Sequence, residues 1–526
     1  MGVLAVYDTV GIQNYIFGSN KLAENVGGSK LVADVFRDVL PGIMRRFEPS
    51  LPEWRDGGPL RPGARAEIIY QGGGNAYAAF ADGDTFQAAT KAFLIEVNKA
   101  APGIGIAAAA LETDFGDTYK SDFEKLNKRL IIVKGGFNAP VLDRSQPITK
   151  QSGRTGLPVS ARDGDEFLSE SQVRKRERYR DYCERERKSD LRDFDELAWE
   201  KGSDSLIAIV HADGNNMGKR IKEFMGQERF RDYAGAVPEI RRLSVAIDDC
   251  YRSAREDTVA AFRSAYADYI TAREGESSGK TRHSKTPILE IIGDGDDTTL
   301  VLGGHFAIDF AARLLREIEG RPDPFGRGER LTACAGAVIF HSHYPFSEAY
   351  KLAEELCASA KKPSREREGS YIDFHLHQSG NVAGLRQLRE RQYTVDGKTI
   401  LRRPWRVSAG GEADCPSFRW FEESVGEIKG ISRNKTKAIR NAIGAGDGAA
   451  RLAINRLRGK KPPEFPLGPE RDREGNVGMS EYAPLFDILD VYDTCENLLS
   501  QESAGAANVG KENAGKASAG TGGNGQ

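Results

Sequence analysis

An α+β fold containing an internal repeat is what this sequence predicts, on three observations. The order strand, helix, hairpin, helix, strand occurs twice, first over residues 3–111 and again over residues 206–361. Each copy has its hairpin at a tight, glycine-rich turn between two apolar runs, at Gly72-Gly73-Gly74-Asn75 and at Gly293-Asp294-Gly295-Asp296-Asp297, the pattern that most strongly marks a hairpin. Beyond Trp405 the composition changes to helical segments rich in Lys and Arg.

The elements follow in order. Val3 to Tyr7 is a short β-branched and aromatic run that reads as a strand, followed by a helix with apolar positions Leu31, Val32, Val35 and Phe36 at helical spacing. Residues 66–80 read as strand, turn, strand; Phe86 to Val97 is helical and Ile104 to Leu111 strand-like. In the second copy Leu206 to Val210 is a buried strand, helices lie between Asn216 and Arg273, residues 289–302 form the hairpin, and Phe306 to Ile318, Leu331 to Phe340 and Phe346 to Lys361 complete the order. Two ferredoxin-like units of comparable size are the expectation.

The chemistry concentrates in the second copy. Asp296 and Asp297 are adjacent carboxylates on a tight turn, which repel one another unless a divalent cation neutralises them. An EF-hand calcium loop is excluded, because counting from Asp294 the sixth position is Thr299 rather than Gly and the twelfth is His305 rather than Glu. Asp213 falls just past the end of the Leu206 strand, followed by a loop with two glycines, Gly214 and Gly218, and by a helix beginning near Asn216, whose N-terminus suits phosphate. If strand and hairpin are sheet neighbours, three carboxylates converge. Such a set can hold one or two Mg2+ ions between a nucleoside triphosphate and an attacking hydroxyl. The first copy carries Gly73, Gly74 and Asn75 at the corresponding turn and keeps only Asp8, a poor magnesium site.

At these residues the chain resembles the CRISPR polymerase/cyclase family, the large subunit of type III CRISPR effector complexes, whose palm domain is related to GGDEF cyclases. The resemblance rests on Ala212-Asp213-Gly214-Asn215-Asn216-Met217-Gly218, on the hairpin where the family carries GGDD, on Leu331 to His341 followed by Pro345, on Ala353 to Lys361, and on Ile372 to His375, in matching order over residues 1 to 405. It implies a non-catalytic first palm (1–150), a charged helical linker (151–203), a catalytic second palm (204–380), a basic helical C-terminal domain (381–500) and a disordered tail (501–526). It also implies Asp213, Asp296 and Asp297 as catalytic residues and metal ligands for two Mg2+ (or Mn2+) ions. Gly214, Asn215, Asn216, Gly218, Gly295, Lys361, Gly73 and Gly74 are the expected contacts to an NTP, ATP being the expected one. Lys361 matches the family's Ala-Lys position; a solvated helix-end lysine beside Lys362 is the alternative, and Lys219 is a weaker candidate for phosphate.

Two residues depart from the family pattern. Asp294 replaces the first glycine of GGDD and adds a third carboxylate beside the pair, and Asn215 stands where many relatives have Asp. The family's cysteine-containing zinc element would fall at Ile148 to Pro158, which holds no cysteine, so no structural zinc is expected; nor does the scatter of all six cysteines suggest a zinc site or a disulfide framework. No His-Asp dipeptide of the family's nuclease domain occurs, so no DNA cleavage of that kind is expected. Gly275 to Thr281 imitates a P-loop but has three residues between its glycines where four are required.

Charged residues make up 29% of the chain with a net charge of −2, which singles out no partner, and no apolar run is long enough to span a membrane. A cytoplasmic protein is expected. Residues 163–200 carry interleaved charge and read as a solvated, salt-bridged helix. Residues 429–461 hold ten Lys or Arg and one acid, Asp447, which suits guide or target RNA if the bases share a face, or a plain helical domain if they do not. The last 25 residues lack large apolar side chains and are expected to be disordered. Two functions therefore stand: a Mg2+-dependent synthase of cyclic nucleotide messengers in antiviral defence, and a non-catalytic palm scaffold in an RNA-guided complex with other CRISPR effector subunits. A homo-oligomer is compatible with either.

Overall fold

Strand β1 (Gly2–Val10) is buried along almost its whole length, which places it inside a sheet rather than at an edge. The computed structural model describes residues 1–136, 148–185, 191–198, 205–274, 285–378, 383–408, 417–457 and 479–499. The decoy at 275–281 and the tail at 501–526 lie outside the described residues. After β1 come α1 (Ile12–Phe17), α2 (Leu22–Asp34), α3 (Leu40–Phe47), β2 (Ala66–Gly72), β3 (Asn75–Phe80), α4 (Gly83–Ala100), β4 (Gly105–Thr113) and α5 (Tyr119–Gly135). The four strands form one antiparallel sheet in the order β2-β3-β1-β4. This is the ferredoxin-like arrangement, with both helices returning the chain to the same sheet.

A small hairpin, β5 (Val159–Asp163) and β6 (Glu166–Ser169), leads into α6 (Glu170–Glu184). The mixed-charge helix expected here exists, but it is solvated on one face only. Tyr179, Tyr182 and Lys175 are buried, and Lys175 donates to the Tyr15 carbonyl oxygen while its ammonium lies 4.0 Å from the Tyr15 ring centre. Gly27 permits this packing, because a Cβ there would sit 1.8 Å from the Lys175 carbonyl oxygen.

The second unit repeats the plan with β7 (Leu206–Gly214), α7 (Met217–Met225), α8 (Tyr233–Glu274), β8 (Ile288–Asp294), β9 (Asp297–Gly303), α9 (Ala307–Glu319), β10 (Ala333–His341) and α10 (Phe346–Glu366). Its sheet contains the same run, β8-β9-β7-β10, extended by β11 (Tyr371–His377), which lies parallel to β10 because α10 carries the chain back across the sheet. The helices expected between 216 and 273 are α7 and α8, the latter one continuous helix of 42 residues. It is held from both units. Arg241, 1% exposed, donates to the carbonyl oxygens of Gly58, Ile68 and Ile69 and pairs with buried Glu67 at 2.8 Å, all in the first unit.

The remainder comprises α11 (Leu385–Gln392), the two-residue strands β12 (Thr394–Val395), β13 (Lys398–Thr399) and β14 (Trp405–Arg406), and helices α12 (Phe418–Lys429), α13 (Arg433–Ile443), α14 (Asp447–Leu457) and α15 (Ala483–Val491). β14 closes the edge of the six-stranded sheet beside β11. The basic segment 429–457 does not present one uncompensated face. Lys429 pairs with Glu496, Arg433 with Asp493, Arg440 with Asp490 and Arg451 with Glu481, acids supplied by residues 481–496. No described helix is long and apolar enough to cross a membrane.

Candidate active site

The site is built at the carboxyl end of β7. Asp213 lies directly opposite Asp297 in the β7–β9 ladder, so the two carboxylates leave the same face of the sheet. Two residues back, the pair His211 and Thr299 occupies that same face, with His211 Nδ1 3.0 Å from Thr299 Oγ1 and 3.4 Å from Asp297 Oδ1. The β8–β9 turn has only Gly295 and Asp296 between the strands. Gly295 takes φ +60°, which lets the chain reverse there and projects Asp296 at the tip.

Lys361 reaches in from α10, its Nζ 2.5 Å from Asp213 Oδ2 and 3.3 Å from the Gly214 carbonyl oxygen. It is not a helix-end lysine in water, since α10 runs on to Glu366 and the side chain is largely covered. Burial opposes its charge, yet the bond to Asp213 outweighs that and raises its pKa. Burial and the nearby Asp213 push Asp296 up to about 6; the same two causes, with Asp294, push Asp297 up to about 7. Lys361 thus faces three aspartates, Asp213, Asp296 and Asp297. Asp297 Oδ1 is sealed from solvent and accepts no hydrogen bond.

A pocket of about 300 Å3 opens beside this cluster, with Asp213, Asn216, Gly218, Asp296, Lys361 and Arg365 in its lining. Asn216 takes φ +56° at the start of α7, and the first residues of that helix border the pocket, where a helix N-terminus suits an anion. Among the described residues no three His, Cys, Asp or Glu side chains form a ready-made metal cluster. The donor set nevertheless fits a divalent cation: hard oxygen ligands, carboxylates whose pKa burial and mutual repulsion raise, and an oxygen on Asp297 that accepts no hydrogen bond. Asp213, Asp296 and Asp297 are the residues that would hold it.

Several expected contacts are placed differently. The Asn215 side chain is buried and donates to Thr332 Oγ1 and to the Gly369 carbonyl oxygen, both at 3.1 Å, so its amide N–H groups serve the fold and not a ribose or phosphate. The backbone N–H groups of Gly73 and Gly74 face the Asp294 carboxylate and favour its charged form. Asp294 thereby joins the hairpin of the second unit to the hairpin of the first. Lys219 is 75% exposed and lies 3.8 Å from Glu223, away from the cluster.

Sequence reasoning missed three participants. Tyr251, from the middle of α8, is buried with its hydroxyl unbonded, in the space that a side chain at Gly214 would need. Arg255, one turn further, binds Glu290 at 2.8 Å and the Gly293 carbonyl oxygen at 3.1 Å, fixing the strand that leads into the turn. In the first unit Lys134 of α5 pairs with Asp8 at 2.6 Å, repeating the Lys361–Asp213 pair. Charge pairing between a strand end and a helix so far along the chain leaves no local signal; only superposing the two repeats in sequence would have suggested it.

Residues 206–369 match the family model described as Cas10/Cmr2, second palm domain. No curated protein matches the chain. Among solved structures, the chain is similar to a Csm1–Csm4 cassette in complex with one ATP, at 12% identity and TM-score 0.49, over 95% of this chain and 70% of that one. It is also similar to a Csm1–Csm4 cassette in complex with cA4, at 13% identity and TM-score 0.46, over 94% and 69%. Csm1 from T. onnurineus gives 13% identity and TM-score 0.47, over 93% and 69%. Likeness at that level carries no argument about activity.

Proposed function

We propose that this chain, a member of the Cas10/Cmr2 family through its second palm domain, is a Mg2+- or Mn2+-dependent nucleotidyltransferase that converts nucleoside triphosphate, ATP above all, into a cyclic nucleotide or oligonucleotide messenger. The observation that carries this is that Asp213 and Asp296 line one pocket together with Lys361 and the start of α7, with Asp297 directly opposite Asp213 in the sheet. Asp213, Asp296 and Asp297 would hold the divalent ions. When bound, such ions neutralise the triphosphate and acidify a ribose hydroxyl for attack on the α-phosphorus. The protein's own part is positional: α7 offers N–H groups to phosphate oxygens, and Lys361, 2.5 Å from Asp213, is within reach of a phosphate once a cation takes over that carboxylate. Division of the chain into first palm, linker, second palm, C-terminal domain and tail belongs to the same reading, as do a cytoplasmic setting, a place in antiviral defence and assembly with type III effector subunits and guide or target RNA.

A second reading, a palm-fold scaffold without catalysis, is favoured by one observation: Lys361 already supplies Asp213 with a balancing positive charge. Incubating the purified chain with each NTP and Mg2+ or Mn2+, with and without RNA, separates the two by mass spectrometry of the products. Pyrophosphate and a cyclic or linear oligoadenylate are expected, absent in Asp296→Ala/Asp297→Ala. Absence of product under every condition would sink the catalytic reading and leave the scaffold.

A further inference from the structure

A second cavity, of about 550 Å3, lies where the second palm meets the C-terminal helices. It shares no lining residue with the pocket beside Asp213. Its floor is aromatic. His375 comes from β11, Tyr393 follows α11 and Phe486 comes from α15, and the rings meet edge to face, His375 to Tyr393 at 6.0 Å and Tyr393 to Phe486 at 5.9 Å. Its rim is polar, with the exposed amides of Gln392 and Asn441 and with Arg440, whose guanidinium lies 5.4 Å from the Phe486 ring centre.

His375 is the informative residue. It is 3% exposed, lines the cavity, and makes no hydrogen bond among the described residues. Burial, with Arg403 nearby, pushes its pKa down to about 3, so the imidazole is neutral and offers one donor and one acceptor. Because the ring lines the cavity, both nitrogens are open to a ligand there. Arg440 gives one N–H group to Asp490 at 2.6 Å, and its side chain is 35% exposed, leaving other donors at the cavity mouth. Arg403 and Arg440 are balanced by Asp487 and Asp490, so the seam carries no excess charge to draw in a highly charged ligand.

We propose that this seam is a second ligand site that takes a single nucleobase with its ribose phosphate. The base would lie against the aromatic floor, its edge would meet His375 and the amides of Gln392 and Asn441, and its phosphate would meet Arg440. Neutral donors and acceptors around an aromatic surface match a base edge and face, and the volume suits a mononucleotide. The inference stands apart from the catalytic reading, because it uses none of the Asp213 pocket.

The source of the base, free or within a strand, is an arm of the test. Binding of AMP, GMP, CMP and UMP, and of single-stranded RNA pentamers, is measured by calorimetry on the full chain in EDTA. One-to-one saturable binding is expected for at least one probe. Asn441→Trp and Gln392→Trp, substitutions at exposed positions that fill the cavity, should each weaken it by about tenfold or more with unchanged melting curves, as should His375→Leu. Lys361→Ala should leave it intact. Binding by pentamers alone would mean that the base arrives within RNA. No saturable binding by any probe, binding that survives both Trp variants, or binding lost in Lys361→Ala would each overturn the proposal.

Discussion

In the first unit Thr9 fills the strand end beside the hairpin, and Gly74 keeps the turn small; in the second, Gly214 leaves the strand end bare, and Asp296 fills the turn. These positions correspond, because Asp8 lies opposite Asn75 in one ladder as Asp213 lies opposite Asp297 in the other. Thr9 Oγ1 donates to the Gly74 carbonyl oxygen at 2.8 Å, closing the first turn onto its strand. At Gly214 a Cβ would sit 3.0 Å from the Asp296 Cβ and 2.5 Å from the Tyr251 hydroxyl. Even the bulge is shared, between Ile68 and Tyr70 in one hairpin and between Glu290 and Ile292 in the other. A common frame therefore supports two strand ends, one sealed by a hydroxyl and one opened for a carboxylate. Both retain a strand-end aspartate bound to a lysine. What differs is the charge added at the turn.

The comparison breaks most visibly at the carboxylates. Asp297→Ala is expected to lower product formation at least about a hundredfold, since metal ligands matter no less than their outer-shell partners, whereas Asp8→Ala should leave the rate within about twofold of the parent. Pyrophosphate release measures both, and equal losses would show that the first unit also does chemistry. Gly214→Ala comes next: crowding Tyr251 and Asp296 should cost about 1–3 kcal/mol in urea unfolding and reduce turnover as Asp296 shifts. Asp294→Ala strands the Gly73 and Gly74 N–H groups and should cost about 1–3 kcal/mol, with Asp294→Asn retaining part of that because one acceptor oxygen remains. The smallest effect belongs to Thr9→Val, about 1 kcal/mol for one hydrogen bond and no change in product; a large activity loss there would show that the two hairpins are coupled more tightly than Asp294 alone provides.

Much of this frame was legible in the chain. Alternation of apolar runs with glycine turns located both hairpins, and Asp213 could be joined to Asp296 and Asp297 because the strand order of a repeated unit places β7 beside β9. What could not be read was contact between residues remote in sequence and without a pattern of their own. Asp294 looked like surplus charge near the pair; its partners are glycine N–H groups in the other unit, which carry no side-chain signature. Asn215 sits in the motif, yet its amide is claimed by Thr332 and Gly369 across the fold. The basic stretch of the C-terminal helices suggested a charged face, whereas the acids that neutralise several of its members lie about 50 residues further on, in a segment read separately. Residues 163–200 misled in the opposite direction, since dense charge concealed Lys175, Tyr179 and Tyr182 as a buried face.

Helix α8 bears on how this molecule can be taken apart. Its Arg241 occupies the interior of the neighbouring unit, answering three carbonyl oxygens and the carboxylate of Glu67, while Tyr251 and Arg255 on the same helix border the aspartate turn. Cutting the chain between the units would strand Glu67 and those carbonyls in an apolar interior. Breaking such a buried pair costs about 3–5 kcal/mol, a large share of the roughly 5–15 kcal/mol that holds a domain folded. Despite their matching blueprints, the halves are not interchangeable cassettes: the first expressed alone would lack the helix that fills its interior, and the second would carry Arg241 without its partners.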